Sequence, residues 1–433
     1  MEIYEILFES MVKNLIILKN LFYLVLDNVV RLFLGFVISV FIARNLGASK
    51  FGEINYVLAL ISILQVIVLG GFDSIILKDI GMRTCPISLL YGTVIRIRFI
   101  ISFVCYVLGG FLFYFVLNRS IINLYFILGI QLFLYSFYIH KLYFQVHSLN
   151  RYTVIAQQAS FIFISVCKIV VVLFSTDVFF LSICLTLGTM LEVCILHYNF
   201  IKSEKISYSD YIQSFDPSYA KRLIKASFPL LLQNCAIVLF MKIDQIMIGK
   251  MMTTSDVGIY SIGVTISEMI YFVPMMIYNA FYPKLIELKR LGKDYFNLLV
   301  KIGSINLAIS IVFVICCNFV VPYLIKNLYG FAYEGAINVI RIHSFASLFV
   351  AIGVAHDYYL VAENKQIYSM FSSVLACILN VILNVLFIKT HGMAGAAFAT
   401  LITQFFVCYF FYAFLRDRET FILRTRSLFF LLR

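Results

Sequence analysis

The 433-residue sequence contains no tryptophan, only six prolines and few charged residues, which make up 13% of the chain. Soluble globular domains carry about 25% charged and about 45–50% apolar residues, whereas 62% of this chain is hydrophobic. A water-soluble protein of this composition could not cover its surface with polar side chains. Disorder is excluded as well, because it requires low hydrophobicity and high charge. The composition therefore predicts an integral membrane protein.

Motifs for catalysis, metal binding and nucleotide binding are also missing. The ten cysteines include the adjacent pair Cys316 and Cys317 but no C-x-x-C, so neither a zinc site nor a disulfide framework is predicted. There is no nucleotide-binding loop and no nucleophile–base pair, so we expect no cofactor, no metal and no enzymatic activity. The net charge of +12 forms no basic stripe with interleaved aromatic residues, which argues against nucleic acid as a partner.

Continuous apolar runs of 20 or more residues predict membrane-spanning helices rather than a barrel, whose strands would alternate in segments of about ten residues. Residues 1–20 have the spacing of an amphipathic helix at the membrane interface, not the pattern of a signal peptide. We expect an all-α integral membrane protein with twelve transmembrane helices, at approximately 21–42, 54–76, 89–117, 121–144, 154–174, 178–200, 228–249, 258–282, 295–321, 335–360, 369–388 and 395–415.

The longest polar break, residues 202–225, divides the chain in two. It predicts an N-terminal six-helix bundle at 1–200, a cytoplasmic linker at 201–226 and a C-terminal six-helix bundle at 227–433. With both termini in the cytoplasm, 21 of the 34 Lys and Arg residues lie in cytoplasmic segments and six lie in outer segments. An excess of this size decides the orientation.

An even number of spans in each half makes the two bundles parallel repeats, related by an axis along the membrane normal. Two pairs of matching strings support a repeat. Ser49-x-x-Gly52 and Ser255-x-x-Gly258 open the second and eighth helices, and His140-x-x-Tyr143 in the fourth matches His356-x-x-Tyr359 in the tenth.

Polar residues in the first, second, seventh and eighth helices fall on single helical faces. A charge at the bilayer centre costs about 2.5–3.5 kcal/mol or more, so these residues should face protein or a watery cavity. For the Asn and Ser residues, hydrogen bonding between packed helices is the alternative role. For the charged residues we expect a central cavity between the two bundles, with Asp27 and Arg31 able to pair across one turn. The charged members are Asp27, Arg31, Asp73, Lys242, Asp244 and Glu268, and Arg341 in the tenth helix is a further candidate.

The other polar residues within the predicted spans are interpreted from their position along each span. Arg96, Arg98 and Lys301 lie near cytoplasmic helix ends and are expected to snorkel. Lys168 is alone on its helix and receives no role. Asn380 and Asn384 share a face with two serines of the eleventh helix, for packing or for contact with a sugar.

Several short sequence motifs resemble those of a known protein family. They are R-N-L-G at 44–47, F-G at 51–52, G-F-D-S at 71–74, R-L-I-K-A-S-F-P-L-L-L-Q at 222–233, K-I-D-Q-I-M-I-G at 242–249, V-G-I-Y-S at 257–261, I-S-E at 266–268 and G-M-A-G-A-A-F-A-T at 392–400. The chain thereby resembles the bacterial O-antigen flippases, the polysaccharide-transporter branch of the MOP superfamily that also contains the multidrug-and-toxin (MATE) exporters.

The resemblance implies two six-helix bundles around a central cleft. It implies transport of an undecaprenyl-pyrophosphate-linked oligosaccharide from the cytoplasmic to the periplasmic leaflet of the inner membrane by alternating access, with ion coupling as an option. Arg31, Lys242 and Arg341 would contact phosphate or acidic sugars. Four carboxylates would pair with these cations in the empty site, and one of them could exchange a proton: Asp27, Asp73, Asp244 and Glu268. Further partners would be membrane lipids and the polymerase and chain-length proteins of lipopolysaccharide biosynthesis.

A cation antiporter of the related MATE family is the main alternative. Its cavity should be dominated by carboxylates and aromatic residues, whereas Arg31, Lys242 and Arg341 favour an anionic cargo. Twelve helices argue against a lipid II flippase of the same superfamily, which usually has two more. The short outer loops argue against a membrane-bound polymerase or glycosyltransferase, and the missing nucleotide loop argues against ATP-driven transport.

Overall fold

The computed structural model describes the backbone of residues 2–115, 117–204, 214–292, 294–363, 365–414 and 418–429, and the side chains from Arg31 onward within these ranges except at 204, 283, 418–420 and 429. Within these ranges the chain forms helices and turns and contains no strand. Ten helical stretches are long and apolar enough to cross a membrane. Two of them contain a glycine outside helical geometry, Gly47 (φ 78°) or Gly392 (φ 59°), and each holds two spans. The prediction of twelve spans is therefore confirmed, and the chain is a multi-pass membrane protein.

The N-terminal half contains spans 1 to 6. Spans 1 and 2 share the helix Glu2–Leu69, which is kinked at Gly47, and the short helix Asp73–Met82 follows. Span 3 is Ile87–Tyr114, span 5 is Asn150–Phe174 and span 6 is Val178–Glu204. Span 4 is assembled from Arg119–Gly129, Gln131–Leu134, a 3₁₀ turn at Tyr135–Tyr138 and Ile139–Val146.

The C-terminal half contains spans 7 to 12. Span 7 is Pro217–Met251, and span 8 consists of Thr254–Glu268, a 3₁₀ turn at Met269–Tyr271 and Phe272–Arg290. Span 9 is Phe296–Phe319, a short helix runs over Val321–Leu328, and span 10 is formed by Ala336–His343 and Ala346–Ala362. Spans 11 and 12 share Gln366–Phe405, with span 12 continuing through Phe406–Phe410 and Phe411–Ala413, and the last helix is Arg418–Phe429.

Three helix boundaries differ from the sequence prediction. The amphipathic segment 1–20 continues into span 1 without a break. Span 7 begins at Pro217, inside the predicted linker, where the Asp216 carboxylate caps the helix by accepting from the Ser218 N–H at 2.8 Å. Proline suits the first helical position because its missing N–H would have no partner there. Span 2 ends at Leu69, because Gly70 and Gly71 adopt φ values of 67° and 65° that favour glycine.

The two halves touch backbone to backbone where spans 2 and 8 begin, which we call the Gly52 face. A Cβ atom on Gly52 would lie 1.7 Å from the Thr254 carbonyl oxygen, and one on Gly258 would lie 2.2 Å from the Ala48 carbonyl oxygen. The Ser49 and Thr254 hydroxyls lie 3.3 Å apart. The strings that predicted a repeat therefore pack against each other, and only residues without a side chain allow this approach.

The halves meet again at the opposite ends of the spans, which we call the Asp79 face. The buried Asp79 carboxylate accepts hydrogen bonds from the Tyr219 hydroxyl at 3.0 Å and from Arg222 Nη2 at 2.9 Å. The Asp216 N–H donates to the Thr93 hydroxyl at 3.1 Å. Charge and hydrogen bonds close this face, whereas backbone packing closes the Gly52 face.

The second pair of matching strings belongs to the core of each half. His140 is fully buried, forms a hydrogen bond with His197 at 3.1 Å and stacks on Phe200. His356 is also fully buried and packs against the ring of Tyr412 with 4.0 Å between centroids. These equivalent histidines pack against aromatic rings in both bundles.

Replacement of Gly52 by alanine should destabilise the protein by about 1–3 kcal/mol, the usual cost of forcing a methyl group into filled space. The measurement is thermal unfolding of the purified protein in detergent. Gly35→Ala on span 1 is the matched control, because a Cβ atom there meets nothing within 4 Å and alanine is the better helix former. Equal unfolding midpoints for the two variants would contradict the close packing at the Gly52 face.

Candidate functional site

A cavity of about 270 Å³, lined by both polar and apolar residues, lies inside the C-terminal half between spans 7, 8, 10, 11 and 12. Thr400 and Tyr412, twelve positions apart on span 12, both line it. We name the ends by their charged residues, the Asp244 end and the Asp357–Arg424 end. The polar lining residues are Asp244, Tyr260, Glu268, Tyr271, His343, Asp357, Ser369, Ser372, Ser373, Thr400, Gln404, Tyr412 and Arg424.

At the Asp244 end, one buried carboxylate holds four spans together. Asp244 of span 7 accepts hydrogen bonds from the Tyr260 hydroxyl of span 8 at 2.5 Å and from the Thr400 hydroxyl of span 12 at 2.5 Å. It also accepts from Asn384 Nδ2 of span 11 at 2.6 Å, and Asn384 in turn donates to Asn380 Oδ1 at 3.0 Å. Hydrogen bonds that converge on a buried carboxylate in this way are short and strong. The sequence analysis named Asp244 among the polar residues of the seventh helix and the two asparagines on a face of the eleventh helix, but it did not predict that they meet.

Lys242 and Glu268 lie beside this carboxylate. Glu268 lines the cavity, and the charges of Lys242 and Asp244 both act on it. Lys242 and Glu268 form no ion pair within 4 Å of each other, although both side chains are described. Three of the seven predicted site residues are therefore neighbours in this half of the protein.

The Asp357–Arg424 end was not predicted as part of a site. Arg424 belongs to the last helix, and sequence reasoning counted it among the cytoplasmic loop cations. In the structure it is 2% exposed and lines the cavity together with Asp357 and Ser369. The sequence feature that could have indicated this end of the cavity is Asp357, a carboxylate within the tenth predicted span.

The structure places Asp73 outside this cavity. Since span 2 ends at Leu69, Asp73 begins the short helix Asp73–Met82 and its Oδ1 lies 2.6 Å from Arg98 Nη2 of span 3. The prediction that Arg98 snorkels is wrong, because Arg98 is 0% exposed and also donates to the Leu69 carbonyl at 3.2 Å. The spacing of residues along one helix could not reveal this pairing between helices.

The remaining predicted residues lie apart from the cavity or outside the described side chains. Arg341 is exposed near the Gly52 face and lines a separate depression of about 430 Å³ with the ion-paired Lys326 and Glu334. Arg31 is partly buried on span 1. The Asp27 side chain lies outside the described residues, so its predicted pairing with Arg31 stays a prediction.

An apolar groove of about 340 Å³ follows Arg31 and separates the two halves at the side of the molecule. Leu32, Phe33 and Phe36 of span 1 form one wall, and residues of spans 8 and 9 such as Met269 and Phe313 form the other. Almost all of its surface is apolar, so it suits a hydrocarbon chain rather than a polar group.

A smaller cavity of about 190 Å³ lies inside the N-terminal half, between spans 1, 2, 5 and 6. Lys168, which the sequence left without a role, lines it together with Asn55, Ser39 and Ser165. Its described lining residues include no carboxylate, in contrast to the cavity of the C-terminal half. The two cavities therefore differ in the sign of the charges among their described lining residues.

Comparison with protein families gives one match over most of the chain. A family model described as "Polysaccharide biosynthesis protein" matches residues 17–289. An uncharacterized membrane protein of Methanocaldococcus jannaschii, MJ1375, is 28% identical over 183 residues, which are 42% of this chain and 43% of that protein. The match thus spans less than half the length of that relative.

Solved structures of two transporters share the fold over nearly the whole chain. The lipid II flippase MurJ in an inward closed conformation matches with a TM-score of 0.72 at 14% identity, covering 94% of this chain and 92% of that one. An inward-facing multidrug resistance MATE family transporter of the MOP superfamily matches with a TM-score of 0.69 at 13% identity, covering 92% and 94%. At these identities the likeness shows the fold alone, and it confirms the predicted fold class.

We predict that Asp73 and Arg98 are energetically coupled. Asp73→Asn should destabilise the protein by about 1–3 kcal/mol, because it leaves a buried guanidinium without a carboxylate. The double variant with Arg98→Met should lose less stability than the two single variants together, as measured by thermal unfolding in detergent. Glu287→Gln is the control, because it disrupts the exposed pair with Lys284 and such pairs contribute about 0–1 kcal/mol. Strict additivity of the Asp73 and Arg98 effects would show that the pair is not coupled.

Proposed function

The chain belongs to the polysaccharide biosynthesis protein family, and we propose that it is a flippase that moves an undecaprenyl-pyrophosphate-linked oligosaccharide across the membrane by alternating access. Family membership over residues 17–289 is the observation that carries this proposal. The transporter fold and the polar cavity within the membrane-spanning helices support it. A pyrophosphate with attached sugars cannot cross hydrocarbon unaided, because burying unpaired polar groups costs several kcal/mol each.

The division of the molecule into polar and apolar spaces suits such a cargo. The polar headgroup would pass between the bundles beside Lys242 and the C-terminal cavity, while the prenyl chain would occupy the apolar groove after Arg31. In this proposal Arg31 and Lys242 bind the pyrophosphate by charge-assisted hydrogen bonds. Arg341, exposed near the Gly52 face, meets the headgroup on release.

Alternating access requires that the Gly52 face and the Asp79 face open in turn. We place the Asp79 face in the cytoplasm and both termini on the same side, following the excess of Lys and Arg there. The membrane is then the bacterial inner membrane, and transport runs toward the periplasm. There the polymerase and chain-length proteins of O-antigen or related lipopolysaccharide synthesis would receive the product.

Coupling to an ion is assigned to the Asp244 end of the cavity. Asp244 and Glu268 are neighbouring carboxylates in a low-dielectric interior, and binding of a proton or metal cation there would relieve their mutual repulsion. Since Asp244 bonds to spans 8, 11 and 12, neutralising it would alter the packing of four spans at once. Binding of the ion would thereby be coupled to movement of the helices in this bundle.

A cation antiporter is the second candidate function, and one observation favours it. The cavity of the C-terminal half is lined by three carboxylates and several aromatic rings, with Arg424 as its one cation among the described lining residues. Such a lining attracts cations. In a flippase the same carboxylates serve the coupling ion, whereas in an antiporter they would also bind the exported cation.

The main test is deletion of the gene in its source organism. A flippase predicts loss of a surface polysaccharide and accumulation of its lipid-linked repeat unit in the cytoplasmic leaflet, with both defects reversed by the wild-type gene. Lys242→Ala should fail to restore the polysaccharide, whereas Lys301→Ala on the exposed side of span 9 should restore it. Unchanged surface glycans together with increased sensitivity to cationic dyes would favour the antiporter and overturn the proposal.

Alternating access is tested separately by locking the Gly52 face. Paired substitutions Ser49→Cys and Thr254→Cys put two thiols where the hydroxyl oxygens lie 3.3 Å apart, in a background without the native cysteines. Oxidation should form the cross-link and stop export of the polysaccharide at least tenfold, and reduction should restore it. Each single cysteine variant is the control. Full export by the cross-linked protein would exclude opening of this face during transport.

A further inference from the structure

The last helix of the chain brings a permanent charge into the polar cavity. Arg418–Phe429 packs on span 9, where the Ser304 hydroxyl donates to the Ser427 carbonyl at 2.9 Å. A Cβ atom on Gly303 would lie 2.8 Å from the Ser427 hydroxyl, so the helix lies close against this span. Arg424, one turn earlier, is thereby held inside the cavity and is 2% exposed.

The Arg424 guanidinium lacks the partners that such burial normally requires. Nε and Nη1 are buried and have no hydrogen-bond partner. Arginine cannot release its charge in proteins, and burying a charge without compensation is costly. The group lies over the ring of Tyr412, 4.1 Å from the centroid, which offsets part of the cost but leaves both N–H groups unused.

Asp357 faces the same end of the cavity without pairing with Arg424. Its carboxylate is exposed to the cavity and accepts one long hydrogen bond, 3.3 Å, from the Ser369 hydroxyl. The two charges act on each other, yet no nitrogen–oxygen distance between them is within 4 Å among the described ion pairs. This end therefore offers donors on one side, an acceptor on the other and space between them.

We propose that the gap between Asp357 and Arg424 binds adjacent hydroxyl groups of an uncharged sugar ring, a subsite for the cargo that rests on the proposed flippase function. A hydroxyl group both accepts and donates, so neighbouring hydroxyls accept from the guanidinium and donate to the carboxylate. Ser369 and Ser372, which line the same cavity, provide further polar contacts for the sugar.

Other ligand classes satisfy only one side of the gap. A phosphate or a carboxylate would use the Arg424 donors but would meet the negative charge of Asp357. A metal cation would bind Asp357 but would meet the guanidinium. The cavity volume of about 270 Å³ is below the usual range for drug-sized ligands, and it suits one ring of a saccharide.

The test compares the binding of small probes to the purified full-length protein in detergent. The probes are methyl α-glucopyranoside, methyl α-galactopyranoside and N-acetylglucosamine, with sodium phosphate and sodium chloride as alternatives, and the readout is the unfolding midpoint as a function of probe concentration. Arg424→Gln and Asp357→Asn are the test variants. Arg426→Gln, an exposed arginine on the same helix, is the matched control. Size-exclusion elution of each variant verifies that it is folded.

A saturable shift with at least one neutral sugar is expected for the wild type and Arg426→Gln, with affinity at least tenfold lower in both test variants. Sugars also raise the midpoint of any protein by exclusion from its surface, so a linear rise of equal slope in every variant would overturn the proposal. Saturable binding of phosphate that depends on Arg424, or of sodium that depends on Asp357, with no sugar effect, would overturn it as well.

Failure of the subsite and failure of the proposed function give different results. If deletion of the gene abolishes a surface polysaccharide but Arg424→Gln and Asp357→Asn restore it at the wild-type rate, the subsite is rejected and the flippase remains. If the deletion leaves surface glycans intact while neutral sugars bind through Arg424, the flippase is rejected and a sugar-binding cavity remains.

Discussion

A single buried carboxylate connects four of the six spans in the C-terminal half of this membrane protein. Asp244 connects span 7 to spans 8, 11 and 12 through hydrogen bonds of 2.5–2.6 Å. In a medium with no water to solvate it, a carboxylate must be surrounded by donors, so these four spans can pack only in positions that bring Tyr260, Asn384 and Thr400 to it. The cavity beside them follows from the same requirement, because Glu268 and Lys242 also need polar surroundings.

The two faces that join the halves are built from different physical interactions. At the Gly52 face, contact depends on the absence of side chains and on steric fit, which is insensitive to charge. At the Asp79 face, contact depends on a buried carboxylate with hydroxyl and guanidinium partners, which water and ions can replace. Because the two faces are held by different interactions, different events can open them. Alternating access requires this, since one face must open while the other stays closed.

Structural features that depend on neighbouring residues could be predicted from the sequence, whereas contacts between distant segments could not. Helical spans are a local property of 20 apolar residues, so all twelve were predictable, as were the polar residues Asp244, Asn380 and Asn384 within them. Pairing between helices is not local. Nothing along the chain indicates that Asp73 meets Arg98, or that spans 2 and 8 touch at Gly52 and Gly258. Arg424 was missed because a cationic segment after the last span is typical of a cytoplasmic tail, and only packing on span 9 turns it inward.

The charged residues that line the two cavities differ in sign, and this difference bears on the proposed mechanism. The C-terminal cavity has carboxylates at both ends, whereas Lys168 brings a cation to the N-terminal cavity. If cargo and coupling ion competed for one site, the carboxylates that attract the ion would repel a pyrophosphate. In the proposed flippase, placing the carboxylates inside one bundle would separate these demands. A coupling ion would then act on the packing of spans 7, 8, 11 and 12 from the Asp244 end, while the pyrophosphate would act on the same spans from the cleft, so the two would be coupled through Asp244 without sharing a binding site.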